Sequence, residues 1–496
     1  MDRRVSLHPD ASRRSPEPSE WEVAESWTKF LYPFLFDTDA PWPAVPVLDN
    51  PEGRGVRWVE SAFGPQELEN MLPYVKQYLQ LPTNHRRYEV AADCLSQEAI
   101  FRISSDPALR FRFTDMTLHL FFNGVGCVAL EIRPVGDSTI QTVEAVNACL
   151  ASLANGAHFA VDRAPRDMSP AFSVAGFCQA RGSTTVKSLL EALLFPFRTG
   201  GAALSLTPMV DRFLPVYGAV LLRSTHQTPI DLLDERFYEF AQHHLTILRK
   251  TFTPNDISSF SEIHLEDASH HYMPYHNVIH SQSLDGGFVL AYDNGLPHFA
   301  RDPAPAMESF RTSYFSMMLI PFHQRLSILR YATHAANLGL SRDGPALRRL
   351  REDIYDFTSR CYFSQASVSE ERNHIYARWQ EEFHVVRMYN DLKEEVHDID
   401  NYLADLQRRR DTELRSRALQ QDSRNNQLFS LITMVFLPVS VLLYAIPAIP
   451  VLGQWINFAS HPWRSIAILI GMAAFVTFIL AAMFRMLRRA RWAPPQ

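Results

Sequence analysis

Two apolar runs near the C-terminus, Leu428 to Ile446 and Ile466 to Phe484, are free of charged residues. Each is close to the ~20 residues with which a helix crosses a hydrocarbon core, so two transmembrane helices are predicted, over 428–449 and 466–485. The connection from Pro447 to Ser465 contains Pro447, Pro450, Gly453 and Pro462, which predicts a hairpin with an outer loop at 450–465. Arg408, Arg409, Arg410, Arg415, Arg417 and Arg424 precede the first run, Arg485, Arg488, Arg489 and Arg491 follow the second, and the connection carries only Arg464. This bias places both termini, including a basic tail at 486–496, on the cytoplasmic side of the inner membrane.

Upstream the pattern alternates between strand and helix. Within Thr117 to Ile132, two apolar runs flank Asn123-Gly124, a pair suited to a tight hairpin because both residues tolerate positive φ. Thr142 to Leu153 fits a helix, and Val216 to Leu222 and Phe288 to Tyr292, after Gly286-Gly287, fit strands. A cytoplasmic α/β domain with a mixed sheet is therefore expected at 21–300, behind a polar N-terminal arm, 1–20, that lacks the apolar core of a signal peptide.

After Pro303 and Pro305 the pattern turns helical, giving a stalk region at 301–427. One helix is predicted from Ala306 to Asn337, kinked at Pro321 and stopped at Gly339, and a second from Pro345. A third begins at Ser369 or Glu370 and meets no Gly or Pro before Pro438, so it is expected to run unbroken to the membrane. Tyr389, Leu392, Val396, Ile399, Leu403 and Leu406 form a seam with alternating steps of three and four. Either the chain's own helices or a second copy could cover it. The expected fold class is α+β: an α/β domain, a long helical stalk and two C-terminal transmembrane helices in a funnel.

Composition narrows the function. Among 496 residues, 21% are charged and the net charge is -6, so no basic excess points to nucleic acid. Cys94, Cys127, Cys149, Cys178 and Cys361 show no paired metal spacing and read as free thiols. Gly182-Ser-Thr-Thr185 lacks the glycine spacing and lysine of a phosphate loop, and neither a Gly-x-Ser-x-Gly elbow nor a His-Glu-x-x-His pair occurs. No enzymatic activity and no organic cofactor are expected.

Three groups remain as candidate sites. In the first apolar run Asn426, Ser430, Thr433, Leu437, Ser440 and Tyr444 follow steps of four, three, four, three and four, hence one stripe. Polar groups there line a pore or mediate helix contact, and a pore would need several copies in a ring. His264, His270, His271, His276 and His280 lie near Glu262, Glu266 and Asp267, donors suited to zinc or another divalent cation, in a spacing that matches no zinc motif. Glu394, Glu395, Asp398 and Asp400 on the long helix read as a solvated face or as a cation site between copies.

The order of parts resembles the CorA superfamily of divalent-cation channels and transporters. Locally, Leu428-Phe-Ser-Leu-Ile-Thr-Met-Val-Phe-Leu-Pro438-Val-Ser440 is similar to the family's first span, and Leu487-Arg-Arg-Ala-Arg-Trp492 to its C-terminal end. The resemblance implies a homopentamer in the bilayer, passing metal cations along a pore lined by Asn426, Thr433, Leu437, Ser440 and Tyr444, with Leu437 as a hydrophobic gate. It also implies that cations bound at acids such as Glu394 and Asp398 regulate opening. The family's Gly-Met-Asn filter should fall at Pro447-Ala448-Ile449, where it is absent, so magnesium selectivity does not carry over. The alternative is a membrane-anchored sensor or effector whose cytoplasmic domain binds a small signalling molecule or a protein, with cation conduction altered or lost.

Overall fold

The computed structural model describes residues 21–37, 57–91, 95, 98–136, 139–154, 156–163, 183–199, 205–224, 230–251, 270–293, 303–341, 344–445 and 462–491. The chain divides into two compact units, Met1–Ile399 and Asp400–Gln496.

The first unit is built on a twelve-stranded mixed sheet. In chain order its strands are β1 (Trp21–Asp37), β2 (Trp58–Ser61), β3 (His85–Val90), β4 (Ile100–Ile103), β5 (Arg110–Phe121), β6 (Val125–Val135), β7 (Phe159–Arg163), β8 (Ser205–Pro208), β9 (Val216–Ser224), β10 (His271–Tyr275), β11 (Val278–Ser283) and β12 (Gly286–Tyr292). The main path runs β10-β11-β12-β9-β1-β6-β5-β3-β2. The β12–β9 pairing is parallel and the pairings that flank it, β11–β12 and β1–β9, are antiparallel. The expected hairpin at Asn123-Gly124 is present as β5 and β6, with Gly124 at φ +75°.

Because side chains alternate along a strand, the sheet has two distinct faces. On one, Phe30, Phe34, Leu118, Leu120, Val128, Leu130, Val220 and Leu290 pack in one apolar core with inward residues of three helices, Val143, Leu150, Leu189, Leu193, Phe237 and Leu245. Here α1 is Pro73–Gln80, α2 Ile140–Ala151, α3 Val186–Thr199 and α4 Ile230–Lys250, and the named core residues come from α2, α3 and α4. The other face carries Trp27, Lys29, Asp115, His119, Glu131 and Tyr217. Asp115 joins this face because the β5–β6 register shifts between Phe113 and Asp115, which reverses the alternation of β5.

A helical layer covers the polar face: α5 (Pro303–Ser309), a π-helical turn (Phe310–Tyr314), α6 (Phe315–Ser341), α7 (Gly344–Cys361) and α8 (Glu370–Glu382). Tyr217 Oη donates to Phe310 O at 3.2 Å, and Trp379 packs at 6.3 Å from the Tyr217 ring, fixing the layer to the sheet. The helix expected from Ala306 to Asn337 is thus interrupted by a π turn. The unbroken helix expected from Ser369 or Glu370 is also corrected: α8 ends at Glu382 with Phe383 as its cap, His384 takes a left-handed φ of 55°, and α9 (Val385–Ala445) starts anew. Leu392, Val396 and Ile399 of the seam are buried within this single chain, so its first part needs no second copy to cover it.

The second unit holds the rest of α9 and α10 (Pro462–Arg491). The two C-terminal transmembrane helices of the expected fold class are corrected here: among the described residues no helix is long and apolar enough to cross a membrane. Hydroxyl side chains, Ser430, Thr433 and Ser440 on α9 and Thr477 on α10, lie within the apolar stretches of these two helices.

Gly286, at φ +140°, opens β12 opposite Val216, and a Cβ there would overlap the Val216 backbone oxygen. Strain at that φ together with the clash should make Gly286→Ala cost about 2–4 kcal/mol. Urea unfolding of the full chain, followed by circular dichroism, checks this through a lowered midpoint.

Candidate functional site

The polar face of the sheet is held by a buried ion network. Lys29 Nζ lies 3.2 Å from Glu131 Oε2 and 3.9 Å from Asp115 Oδ2. From the helical layer, Arg311 Nε reaches both Glu131 oxygens at 2.8 Å, and Thr114 Oγ1 donates to Glu131 Oε1 at 2.6 Å. Burial alone would raise the Glu131 carboxyl, but Lys29 and Arg311 outweigh it and hold its pKa at about 2. For Asp115 burial prevails over Lys29, and its pKa is raised.

Arg311 sits on the π turn. One extra residue in the turn leaves carbonyls without their usual partners, and hydroxyls meet some of them: Thr312 Oγ1 donates to Glu308 O at 2.7 Å and Ser313 Oγ to Ser309 O at 3.2 Å. Such turns are rare inside helices and recur at functional sites.

Beside this network opens a cleft of about 890 Å³, within the size range of small-molecule sites. Its floor is the end of β1 and β6, with Glu25, Trp27 and Arg133. Its walls are Gln66, Glu69 and Asn70; Tyr275 and Val278; residues 306–312 and Tyr314; and Ser369, Glu371 and Arg372 of α8. Arg133 pairs with Glu25 at 3.0 Å. Arg372 Nη1 donates to Glu69 O at 2.8 Å and its guanidinium lies 5.2 Å from the Tyr314 ring centre. Glu371 accepts from two phenols, Tyr275 at 2.8 Å and Tyr314 at 2.7 Å. Burial first, and then the Glu371 charge, pushes the Tyr314 phenol well up, so it stays a donor at neutral pH. Trp27 is 0% exposed and its indole N–H finds no acceptor among the described residues; Arg133 Nε is likewise unmet. Unmet buried donors cost about 1–3 kcal/mol each.

A second polar cluster joins sheet to α6. His85 Nδ1 donates to Leu79 O at 3.2 Å, which leaves His85 Nε2 to accept from His119 Nδ1 at 3.1 Å. Tyr78 Oη donates to His323 Nδ1 and His323 Nε2 to Asn123 Oδ1, both at 3.1 Å. Phe121 lies between, stacked 3.8 Å from His323. These bonds fix neutral tautomers, in keeping with burial that lowers His85 to about 3 and holds His119 and His323 well below 6.5.

The residues singled out by sequence lie elsewhere. His270 Nδ1 pairs with Glu382 Oε1 at 2.9 Å; His276 is exposed; and the register, His271 opposite Ser281 and Tyr272 opposite His280, puts His271 and His280 on opposite sheet faces. His280 is 3% exposed and stacks 5.4 Å from Tyr314. His264, Glu262, Glu266 and Asp267 lie outside the described residues. No group of His, Cys, Asp and Glu able to hold a metal ion occurs among the described residues. Glu394 and Asp398 are exposed on α9. Of the stripe, Asn426, Ser430, Thr433, Leu437 and Ser440 are exposed, and the hydroxyls of Thr433 and Ser440 bond back to Phe429 O and Leu437 O. Tyr444's side chain and Pro447, Ala448 and Ile449 lie outside the described residues. The cleft residues escaped the sequence reading. Their signal was Lys29, Glu131 and Arg133 standing within otherwise apolar strands.

No family model, no curated protein and no solved structure matches the chain.

Proposed function

We propose that this protein is a membrane-attached sensor whose first unit binds a small polar molecule in the cleft above β1 and β6. The observation that carries this is the convergence of three arginines from three elements, Arg133 on β6, Arg311 on the π turn and Arg372 on α8, around one cavity with aromatic walls. The lining is mostly polar and charged, with Trp27, Tyr275, Phe310 and Tyr314 as its aromatic members, and polar groups converging on one cavity suit ligand orientation. A ligand that binds only the folded chain stabilises it by mass action. Thermal unfolding of the full-length protein with fractions of a bacterial small-molecule extract tests the reading. At least one fraction should raise the midpoint saturably in the parent and much less in Arg372→Ala; no shift from any fraction would defeat it.

Attachment to lipid is the second half of the proposal, without crossing of the bilayer. In the second unit Leu428, Phe429, Ile432, Phe436 and Leu437 on α9, and Trp463, Ile466, Ile470, Phe475 and Phe478 on α10, are 41–82% exposed. Large exposed apolar surface calls for a partner, and the flanking arginines favour anionic headgroups. The protein should float with phosphatidylglycerol vesicles and float less with neutral ones. Assembly into soluble oligomers that ignore both vesicle types would instead assign the surface to self-association.

A further inference from the structure

We infer that the cleft ligand is amphoteric, carrying an oxyanion and an ammonium-type cation on one small molecule. This rests on the reading of the cleft as a ligand site and specifies its chemistry.

The floor asks for acceptors. Trp27 is fully buried, bounds the cleft and has an indole N–H with no partner among the described residues; Arg133, beside it, has an unmet Nε–H. The β1–β6 register, with Thr28 opposite Ile132, makes Trp27 and Arg133 cross-strand neighbours on the same sheet face. Two adjacent donors without acceptors suit a carboxylate or phosphate oxygen.

The α8 wall asks for a cation. Glu371 accepts from Tyr275 and Tyr314, both neutral phenols, and Glu69 meets Arg372 only at 3.9 Å. Glu308 meets Arg311 at 3.4 Å, while Arg311 is committed to Glu131. The lining thus offers four carboxylates, Glu25, Glu69, Glu308 and Glu371, against three guanidinium groups. A purely anionic ligand would face the surplus carboxylate, and a purely cationic one would leave the floor donors unmet. A metal ion fits less well, since no group able to hold one occurs among the described residues.

Isothermal titration of the full-length protein with L-lysine and O-phosphoethanolamine, against acetate, inorganic phosphate and ethylamine, tests the inference. One of the first two should bind at least about tenfold more tightly than every probe carrying one sign of charge, which also tells carboxylate from phosphate. Glu371→Gln should remove that advantage by weakening the amphoteric probe about tenfold, while the oxyanion probes bind no more weakly than to the parent. Trp27→Phe should weaken oxyanion and amphoteric probes alike; because Trp27 is buried, Glu371→Gln decides if that variant does not fold. Should an extract fraction stabilise the protein while neither amphoteric probe outperforms its single-charge parts, the inference falls and the sensor reading stands. Should neither fraction nor probe bind, both fall.

Discussion

Glu131→Gln should destabilise the protein by about 3–5 kcal/mol, the usual result of removing one partner from a buried, hydrogen-bonded charge group. Glu131 is 1% exposed and answers two cations, Lys29 at 3.2 Å and Arg311 at 2.8 Å. Glutamine keeps the shape and one acceptor oxygen but removes the charge, and its amide nitrogen faces the guanidinium. Lys29, 5% exposed, is left with Asp115 at 3.9 Å. Arg311 has an outlet that Lys29 lacks, because the π turn lies at the cleft and its side chain can move towards Glu308. The loss should therefore be partly recovered in Glu131→Gln/Lys29→Met, which removes the more deeply buried cation and keeps the apolar stem. Chemical denaturation of the parent, both single variants and the double variant measures this as a cycle. A loss below 1 kcal/mol in Glu131→Gln would mean that the network is open to water.

This network also explains how much of the fold was legible in sequence. The hairpin at Asn123-Gly124 could be read because a two-residue turn with positive φ has few solutions, and Gly124 does adopt φ +75°. Strands such as Val216–Ser224 were legible because both faces are covered and the apolar run is continuous. The bulge after Phe113, the π turn at Phe310–Tyr314 and the break at His384 were not. No glycine or proline marks them, and the π turn is held by a distant segment through Tyr217 on Phe310.

The candidate site was hidden for a related reason. A charge within a strand ordinarily marks a face left to water, so Lys29, Glu131 and Arg133 carry no sequence mark of a buried site. Here helices cover that face, and the same charges become a buried network with a cleft at its end. The histidines around His270–His280 drew attention by clustering in sequence, but strand alternation separates them. Histidines far apart in sequence, His85, His119 and His323, are the ones brought together.

Those neutral imidazoles should make acid the strongest single perturbation of this protein. His85 and His280 are lowered by burial to about 3, and His119 and His323 are held well below 6.5, again by burial first. In the unfolded chain each titrates near 6.5. Below that pH the unfolded state binds protons that the folded state refuses, so stability is full above about pH 6.5 and falls as pH drops towards the folded values. Each histidine contributes up to about 1.4 kcal/mol per pH unit, and the four together up to about 5–6. Glu131, lowered to about 2, adds its loss only below its unfolded value of 4.5. Asp115 and Asp353, raised by burial, act with the opposite sign in that acid range. The histidine signal is therefore read between pH 6.5 and 5.5, where Glu131 stays ionised in both states. Urea midpoints across that interval should fall steeply, with an uptake on unfolding approaching four protons for this set. His85→Gln, which cannot charge, should lower the uptake by about one proton whatever it does to stability at pH 7. An unchanged slope in that variant would mean that His85 is already protonated in the folded protein, and that Leu79 O and the His119 ring stabilise an imidazolium.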